Sequence, residues 1–534
     1  MKSNCAALFF LLATSAAAFA ADRPNILFIF SDDHAPHAIG AYNGWLKSVN
    51  PTPEIDRLAA EGMVFENSFC TNSICGPSRA VIMSGLHSHK NGFMNNGNSF
   101  DWGQQIFPKL LQKAGYTTAL YGKSHLKGRP QGFDDWQVLP GQGLYYNPDM
   151  ITPQGRKRIE GYCTDIVTDL AVEWLKQGRD EDKPFMLMVQ HKAPHRNWMP
   201  AERHLDLYAD IDMPEPKTLF DKWHDNAPPA RFQELEIDRH MHLNFDLFVD
   251  LVPTFDGDAL KGRYDKSSWR NMQRMSRMQL AAWRGAYGPR DEAFHKTNPV
   301  ADDLVRWKYQ RYVKNYLRCV KGVDESVGRL MDTLKELRID DNTIVIYSSD
   351  QGFFIGDHGW YDKRWMYEES LKMPFIIKWP GTIKPGSRDR THMIQNLDYA
   401  ETFLDIAGVP IPSDMQGESL VPLLKGERPT QWRKSIYYHY YEYPSVHMVP
   451  RHYGVRTATH KLMRFYQFDE WEFYDLENDP DELTNQYGNP DYADKIAELK
   501  QELERLRTYY DDDSDVSVKP PEWQTEMRTT QSAN

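Results

Sequence analysis

The chain has 534 residues, 41% apolar and 26% charged, with 63 Lys and Arg against 75 Asp and Glu for a formal charge of −12. That length supports two or more domains, and 15 Trp with 28 Tyr exclude a disordered chain. The negative balance argues against a protein that coats nucleic acid.

The first twenty residues have the pattern of an export signal. Lys2 gives a positive start, Ala6 to Ala13 is an apolar run, and Ala18-Phe19-Ala20 is a small-x-small cleavage site. Cleavage after Ala20 and a periplasmic or secreted location are expected. Cys5 precedes the apolar run rather than following its end, which argues against a lipoprotein anchor. No later segment is apolar for long enough to span a bilayer, so no stable membrane insertion is expected. Cys70, Cys75, Cys163 and Cys319 are too few for a disulfide-built scaffold, although Cys70 and Cys75 could form a short bridge.

Four buried strands are predicted, at Pro24 to Phe30, Tyr116 to Tyr121, Phe185 to Val189 and Thr343 to Tyr347. Each ends in polar, ionisable residues: Asp32-Asp33-His34, Gly122-Lys123-Ser124-His125, His191 to His195, and Asp350-Gln351-Gly352. Ligands bind at that edge of open α/β sheets. A helix is predicted from Pro53 to about Glu61 with Thr52 as its cap. Another carries a helical stripe from Tyr309 to Leu337 and feeds the Thr343 strand. The stretch from about 201 to 300 has weak periodicity and is expected to be an irregular insertion. Beyond 385, short aromatic strands and a charged helix from about Asp491 to Tyr510 predict a smaller C-terminal α+β subdomain. Asp511-Asp512-Asp513 reads as a solvated tail. The expected fold is therefore α/β, with a large mixed, mostly parallel sheet sandwiched by helices over residues 21–385, and the subdomain over 386–534.

Asp32, Asp33, Asp350 and Gln351 offer hard oxygen ligands at two strand ends, which suit calcium or magnesium and not zinc. Pro77 fits the first turn of a helix, so Cys75 lies at a helix N-terminus, where an anion is favoured. The sequence Cys75-Gly76-Pro77-Ser78-Arg79 resembles the signature of the type I, formylglycine-dependent sulfatases of the alkaline-phosphatase-like superfamily, and the match runs from about Arg23 to about Pro480. The resemblance implies that Cys75 is oxidised to formylglycine (3-oxoalanine) before export, by a formylglycine-generating or anaerobic sulfatase-maturing enzyme. It implies a calcium site made by Asp32, Asp33, Asp350, Gln351 and the converted Cys75, with Arg79, Lys123, His125, His195 and Lys363 around it. Gln351 stands where asparagine is usual and Ser124 where tryptophan is frequent; neither change removes a needed group.

In the reaction so implied, a hydroxyl of the aldehyde hydrate attacks sulfur while Lys123 and Lys363 offset the sulfuryl charge. His195 protonates the leaving alkoxide, and His125 removes the proton that lets sulfate go. Gly161-Tyr162, Thr164-Asp165-Ile166 and Ala193 to Trp198 resemble the branch that includes N-acetylglucosamine-6-sulfatases. The expected substrate is then a sulfated oligosaccharide, most specifically a terminal N-acetylglucosamine 6-sulfate of heparan, keratan or mucin type. Asp362, Arg364, His447 and His452 are expected at the sugar rim, and Trp360 and Trp365 flanking Lys363 suggest a lined pocket. Another sulfated sugar, an aryl sulfate, or a phosphodiester on the same fold are the alternatives; a phosphodiesterase would want Ser or Thr in place of Cys75.

Overall fold

The computed structural model describes residues 23–251 and 270–514. The expected leader, part of the 201–300 stretch, and the chain beyond 514 lie outside the described residues. A ten-stranded sheet forms the body, with strands β1 Asn25–Ser31, β2 Met63–Phe65, β3 Thr117–Gly122, β4 Asp135–Val138, β5 Asp149–Thr152, β6 Gly155–Arg158, β7 Phe185–Gln190, β8 Thr343–Ser349, β9 Phe375–Lys378 and β10 Ser387–Asp389. Their spatial order is β10-β2-β9-β8-β1-β7-β3-β4-β5-β6. The four strands expected from the sequence are the adjacent, mutually parallel centre, β8-β1-β7-β3. They are apolar runs because both faces are covered. Leu27 and Ile29 point into one core and Ile26, Phe28 and Phe30 into the other. The outer strands β9 and β5 run antiparallel to their inner neighbours. The sheet is thus mixed and mostly parallel.

Helices α1 Pro53–Glu61, α2 Cys75–Ser84, α3 Cys163–Glu173, α4 Arg277–Thr297, α5 Ala301–Glu336 and α6 Tyr399–Ile406 cover it. Thr52 does not cap α1: its hydroxyl accepts from the Gly40 amide at 2.9 Å. The amides of Glu54 and Ile55 are taken instead by Asp324 of α5, at 2.8 and 3.0 Å. The irregular 201–300 stretch holds only short turns up to residue 251, but it ends in a regular 21-residue helix, α4, with a Ser276–Gln279 capping box. Charge all round this helix hid its period. Its buried stripe runs through Gln279, Trp283, Tyr287, Asp291 and Phe294, polar at two of five positions, with Trp283 and Tyr287 stacked at 4.5 Å.

A second antiparallel sheet, β11 Ser435–Tyr440, β12 His452–Thr457, β13 His460–Phe465 and β14 Glu470–Asp475, is backed by helix α7 Ala493–Tyr510. Strand β10 still belongs to the large sheet and Phe403 of α6 packs on Phe28 of β1, so the large unit reaches past residue 386. Leu499, Leu503 and Leu506 of α7 share an apolar cluster with Val455, Phe473 and Val81 of α2. Asp512 is not solvated: it accepts from the Tyr437 and Tyr441 hydroxyls at 2.7 and 3.1 Å and from His439 at 2.8 Å. Asp511 and Asp513 beside it are exposed, as expected. No helix among the described residues is long and apolar enough to cross a membrane.

Candidate active site

The carboxyl ends of the central strands meet at one point, and the chain turns there are tight. Gly122 ends β3 at φ 106°, with Gln190 of β7 so close that a Cβ would lie 1.9 Å from its carbonyl oxygen. Only glycine fits there, and it delivers Lys123 and His125 to the sheet edge. Asp33, His125, Asp362 and Arg364 all have positive φ, of 68°, 55°, 77° and 94°. Such backbone is costly without glycine and tends to gather where side chains must be aimed.

Helix α2 is buried over its whole length, with Cys75 as its first residue. Pro77 sits in the first turn, where a missing amide proton does no harm, and the Gly76 amide is taken by Asn96 at 3.1 Å. One turn on, Ser78 donates to the Asp350 carbonyl. Arg79 reaches both the Asp350 carboxylate, Nε to Oδ2 at 3.1 Å, and the Lys123 carbonyl. The Cys-x-Pro-Ser-Arg spacing thus locks the Cys75 helix to the ends of β8 and β3. The four described cysteines are free thiols, so the Cys70–Cys75 bridge is not made. Burial, with Asp32 beside it, pushes the Cys75 thiol well above its ordinary pKa. As an unmodified thiol it is a poor nucleophile.

Asp32, Asp33 and Asp350 bring carboxylate oxygens within 4.8 Å of one another, all buried. Burial and mutual repulsion raise Asp33 to about 8 and Asp350 to about 6. Burial also acts on Asp32 but is outweighed by Lys123, His195 and Arg79, which hold it low. Asp32 Oδ1 and Gln351 Oε1 are buried acceptors without a hydrogen-bond donor. Three crowded carboxylates and two unserved oxygens fit a hard divalent cation. Gln351 also donates to Asp33, and Cys75 Sγ lies 4.0 Å from Asp33 Oδ1.

Around this cluster the structure gathers every catalytic residue expected from the sequence. Lys123 is paired with Asp32 and touches Gln142. Lys363 lies 2.7 Å from Asp33 Oδ2. Burial works against its charge, but Asp33 and Asp362 hold its pKa well above the ordinary lysine value. His195 Nε2 lies 3.8 Å from the same Asp33 oxygen. Burial, then Lys123, keeps both His125 and His195 well below the ordinary imidazole range. His191 bonds Ser326 at 3.0 Å and His358 pairs with Asp221 at 3.0 Å, both structural positions.

The expected sugar rim is only partly assembled. Asp362 lies 3.4 Å from His447 and 3.3 Å from Arg364, whose far side pairs with Glu442 at 2.6 Å. His452 is not with them: it is fully buried, stacked on Trp365 and Phe465, with Nδ1 bonded to the Pro450 carbonyl. Trp360 and Trp365 stack on each other in the core, both fully buried. The cavity beside the catalytic residues has a volume of about 380 Å³ and is lined by Gln142, Tyr145, Lys192, His195, Arg196 and Phe245, among others. Sequence reading gave no role to Lys192, Arg196 or Tyr145. Nothing local marked Lys192 or Tyr145, whose ring lies under the Lys192 ammonium and whose hydroxyl holds the His195 carbonyl at 2.6 Å.

Residues 24–409 match the sulfatase family model, and 356–509 match the model described as N-sulphoglucosamine sulphohydrolase, C-terminal. The chain is 45% identical over 526 residues to the N-acetylglucosamine-6-O-sulfatase of Bacteroides thetaiotaomicron, covering 96% of this chain and 92% of that one. The N-acetylglucosamine-6-sulfatase of Homo sapiens is 26% identical over 447 residues, 78% of this chain and 67% of that one. A solved structure of a protein in complex with its substrate, D-glucosamine-2-N,6-O-disulfate, superposes with a TM-score of 0.87 at 45% identity, covering 93% of this chain and all of that one.

Proposed function

The chain belongs to the sulfatase family, and on that premise we propose that it hydrolyses the 6-O-sulfate of a terminal N-acetylglucosamine in a sulfated glycan, outside the cytoplasm. The observation that carries this is Cys75, buried at the start of α2 against three carboxylates and beside two carboxylate-held lysines. The 45% identity to a protein named for that activity, over nearly the full length of both chains, supports the sugar. The leader supports export.

Asp32, Asp33, Asp350 and Gln351 would hold a calcium-like cation, which when bound withdraws charge from the sulfuryl oxygens. Conversion of Cys75 would supply an aldehyde hydrate, whose hydroxyl is the nucleophile and whose second hydroxyl permits release of sulfate. The remaining work falls to side chains already in place. Lys123 and Lys363 face the developing charge from two sides, each aimed by its own carboxylate. His125 is held neutral by burial, the state a general base needs. Burial and Lys123 hold His195 neutral as well; an anionic ester beside it favours its protonated form, which then donates to the leaving alkoxide. Asp362, 3.9 Å from Lys363, and the Arg364 and His447 side chains beside it are assigned to the sugar hydroxyls.

Cys75→Ser should abolish turnover with the fold unchanged, and the Cys75 peptide from the native host should be lighter than its encoded mass. Full activity of Cys75→Ser would sink the reading. Asp362→Ala should cut kcat/KM on the sulfated sugar by roughly ten- to a hundredfold while sparing a small aryl sulfate. Faster release from galactose 6-sulfate than from N-acetylglucosamine 6-sulfate would overturn the substrate.

A further inference from the structure

Three cations of the site have a carboxylate of their own: Arg79 has Asp350, Lys123 has Asp32 and Lys363 has Asp33. A fourth, Lys192, has none. It is 4% exposed, and among the described residues its ammonium has no hydrogen-bond or ion-pair partner. It lies against the face of Tyr145, with Nζ 4.6 Å from the ring centroid, and feels Asp32, Cys163 and Asp33 without pairing with any of them. A cation–π contact returns only part of the hydration that a buried ammonium gives up. Buried charges are ordinarily paired, so the missing partner is an anion that comes from outside the chain.

The surroundings say where that anion sits. Lys192 lies two residues past the end of β7 and lines the same cavity as His195. The turn between them is fixed at both ends. The His195 amide donates to the Lys192 carbonyl at 3.0 Å, and the Tyr145 hydroxyl donates to the His195 carbonyl at 2.6 Å. One tyrosine therefore carries the ammonium on its ring and the histidine on its hydroxyl. The charges Lys192 feels most are those of Lys123 and Asp32, in the catalytic cluster itself. We propose that Lys192 is a third sulfate-binding lysine, whose ammonium takes an oxygen of the reacting sulfate group from the cavity side, next to His195. This rests on the sulfatase reading and adds a residue to it. Burial, then Lys123, draws Lys192 down to about 8, so an arriving anion also secures its charge.

The same chemistry would suit a second sulfate elsewhere on the sugar, and inorganic sulfate separates the two. Lys192→Met keeps the apolar stem over Tyr145 and removes the charge; an unchanged melting temperature shows that it folds. Calorimetric binding of inorganic sulfate to the native-host protein should weaken by roughly ten- to a hundredfold in Lys192→Met, and Lys192→Arg should restore most of it. KM for a small aryl sulfate and for N-acetylglucosamine 6-sulfate should rise by a similar factor. Unchanged sulfate binding overturns the proposal, including the case where only a disulfated sugar is affected, which would place Lys192 at a second sulfate. If N-acetylglucosamine 6-sulfate is not turned over but sulfate binding still depends on Lys192, the substrate assignment fails and this one stands.

Discussion

Asp32 and Asp350 each neutralise a buried cation, so removing either unbalances two groups at once. Asp32→Ala strands Lys123, and Asp350→Ala leaves Arg79 with only the longer contact to Asp32, at 3.7 Å. A buried charge left without its partner costs about 3–5 kcal/mol, and both variants would also lose a ligand of the proposed cation. Activity should fall at least a thousandfold in each, with a lower melting temperature, while Asp513→Ala in the exposed tail changes neither. Chelation of the wild type should lower activity and melting temperature together; an unchanged rate with the metal shown to be gone would refute the ligand set. These residues could be read from the sequence because strand ends and the cysteine pentapeptide mark them locally. Lys192 and Asp512 could not be, since their meaning comes from Tyr145 and from the Tyr437–His439–Tyr441 strand, 47 and more than 70 positions away.

Helix α7 and strand β14 show how elements are joined by polar contacts that no propensity predicts. Asp512 closes α7 onto β11, where burial would raise its pKa but His439 and His89 hold it well below the carboxylate range. Asp512→Ala leaves two tyrosines and a histidine unserved and should cost about 2–4 kcal/mol, read as an earlier transition in urea; Asp513→Ala should leave the curve where it is. Glu472 on β14 accepts from Tyr367 and from the Ala227 amide, both at 2.8 Å, tying the small sheet to the 227 turn and the Lys363 segment. Burial raises it to about 7. A carboxyl raised in the folded state stabilises fully below its unfolded pKa of about 4.3, and that contribution is lost as pH rises through about 7. Glu472→Gln keeps the acceptor and removes the titration. The melting temperature of the wild type relative to Glu472→Gln should therefore fall between pH 5 and pH 8; parallel profiles would show that Glu472 is ionised throughout. The central strands were readable because apolar runs with polar ends have one meaning in a covered sheet. The cap of α1 was not, because Asp324 reaches it from a helix 270 residues on.

Across the whole molecule, the site draws on segments near residues 32, 75, 123, 195, 350 and 363, so no fragment of the chain contains it. The small sheet takes part as well: the His439 amide bonds the Thr71 carbonyl at 3.0 Å, and Tyr438 bonds the Arg364 carbonyl at 3.1 Å. A chain truncated after residue 430 should lose all activity and expose α2, seen as dye binding to apolar surface. The burial of α2 also sets an order of events. Cys75 is 1% exposed, at the start of a fully buried helix whose Val81 packs against the small unit. A second enzyme needs several residues of extended backbone around a cysteine it converts, and none can be offered here without undoing both units. On the proposed reading, conversion of Cys75 comes before folding, and a chain that folds first keeps the unmodified thiol. Unconverted protein purified in its folded form should stay inactive when incubated with its maturation enzyme, yet be converted after unfolding. The fold that places Cys75 against the carboxylates would also shut out any enzyme that converts it.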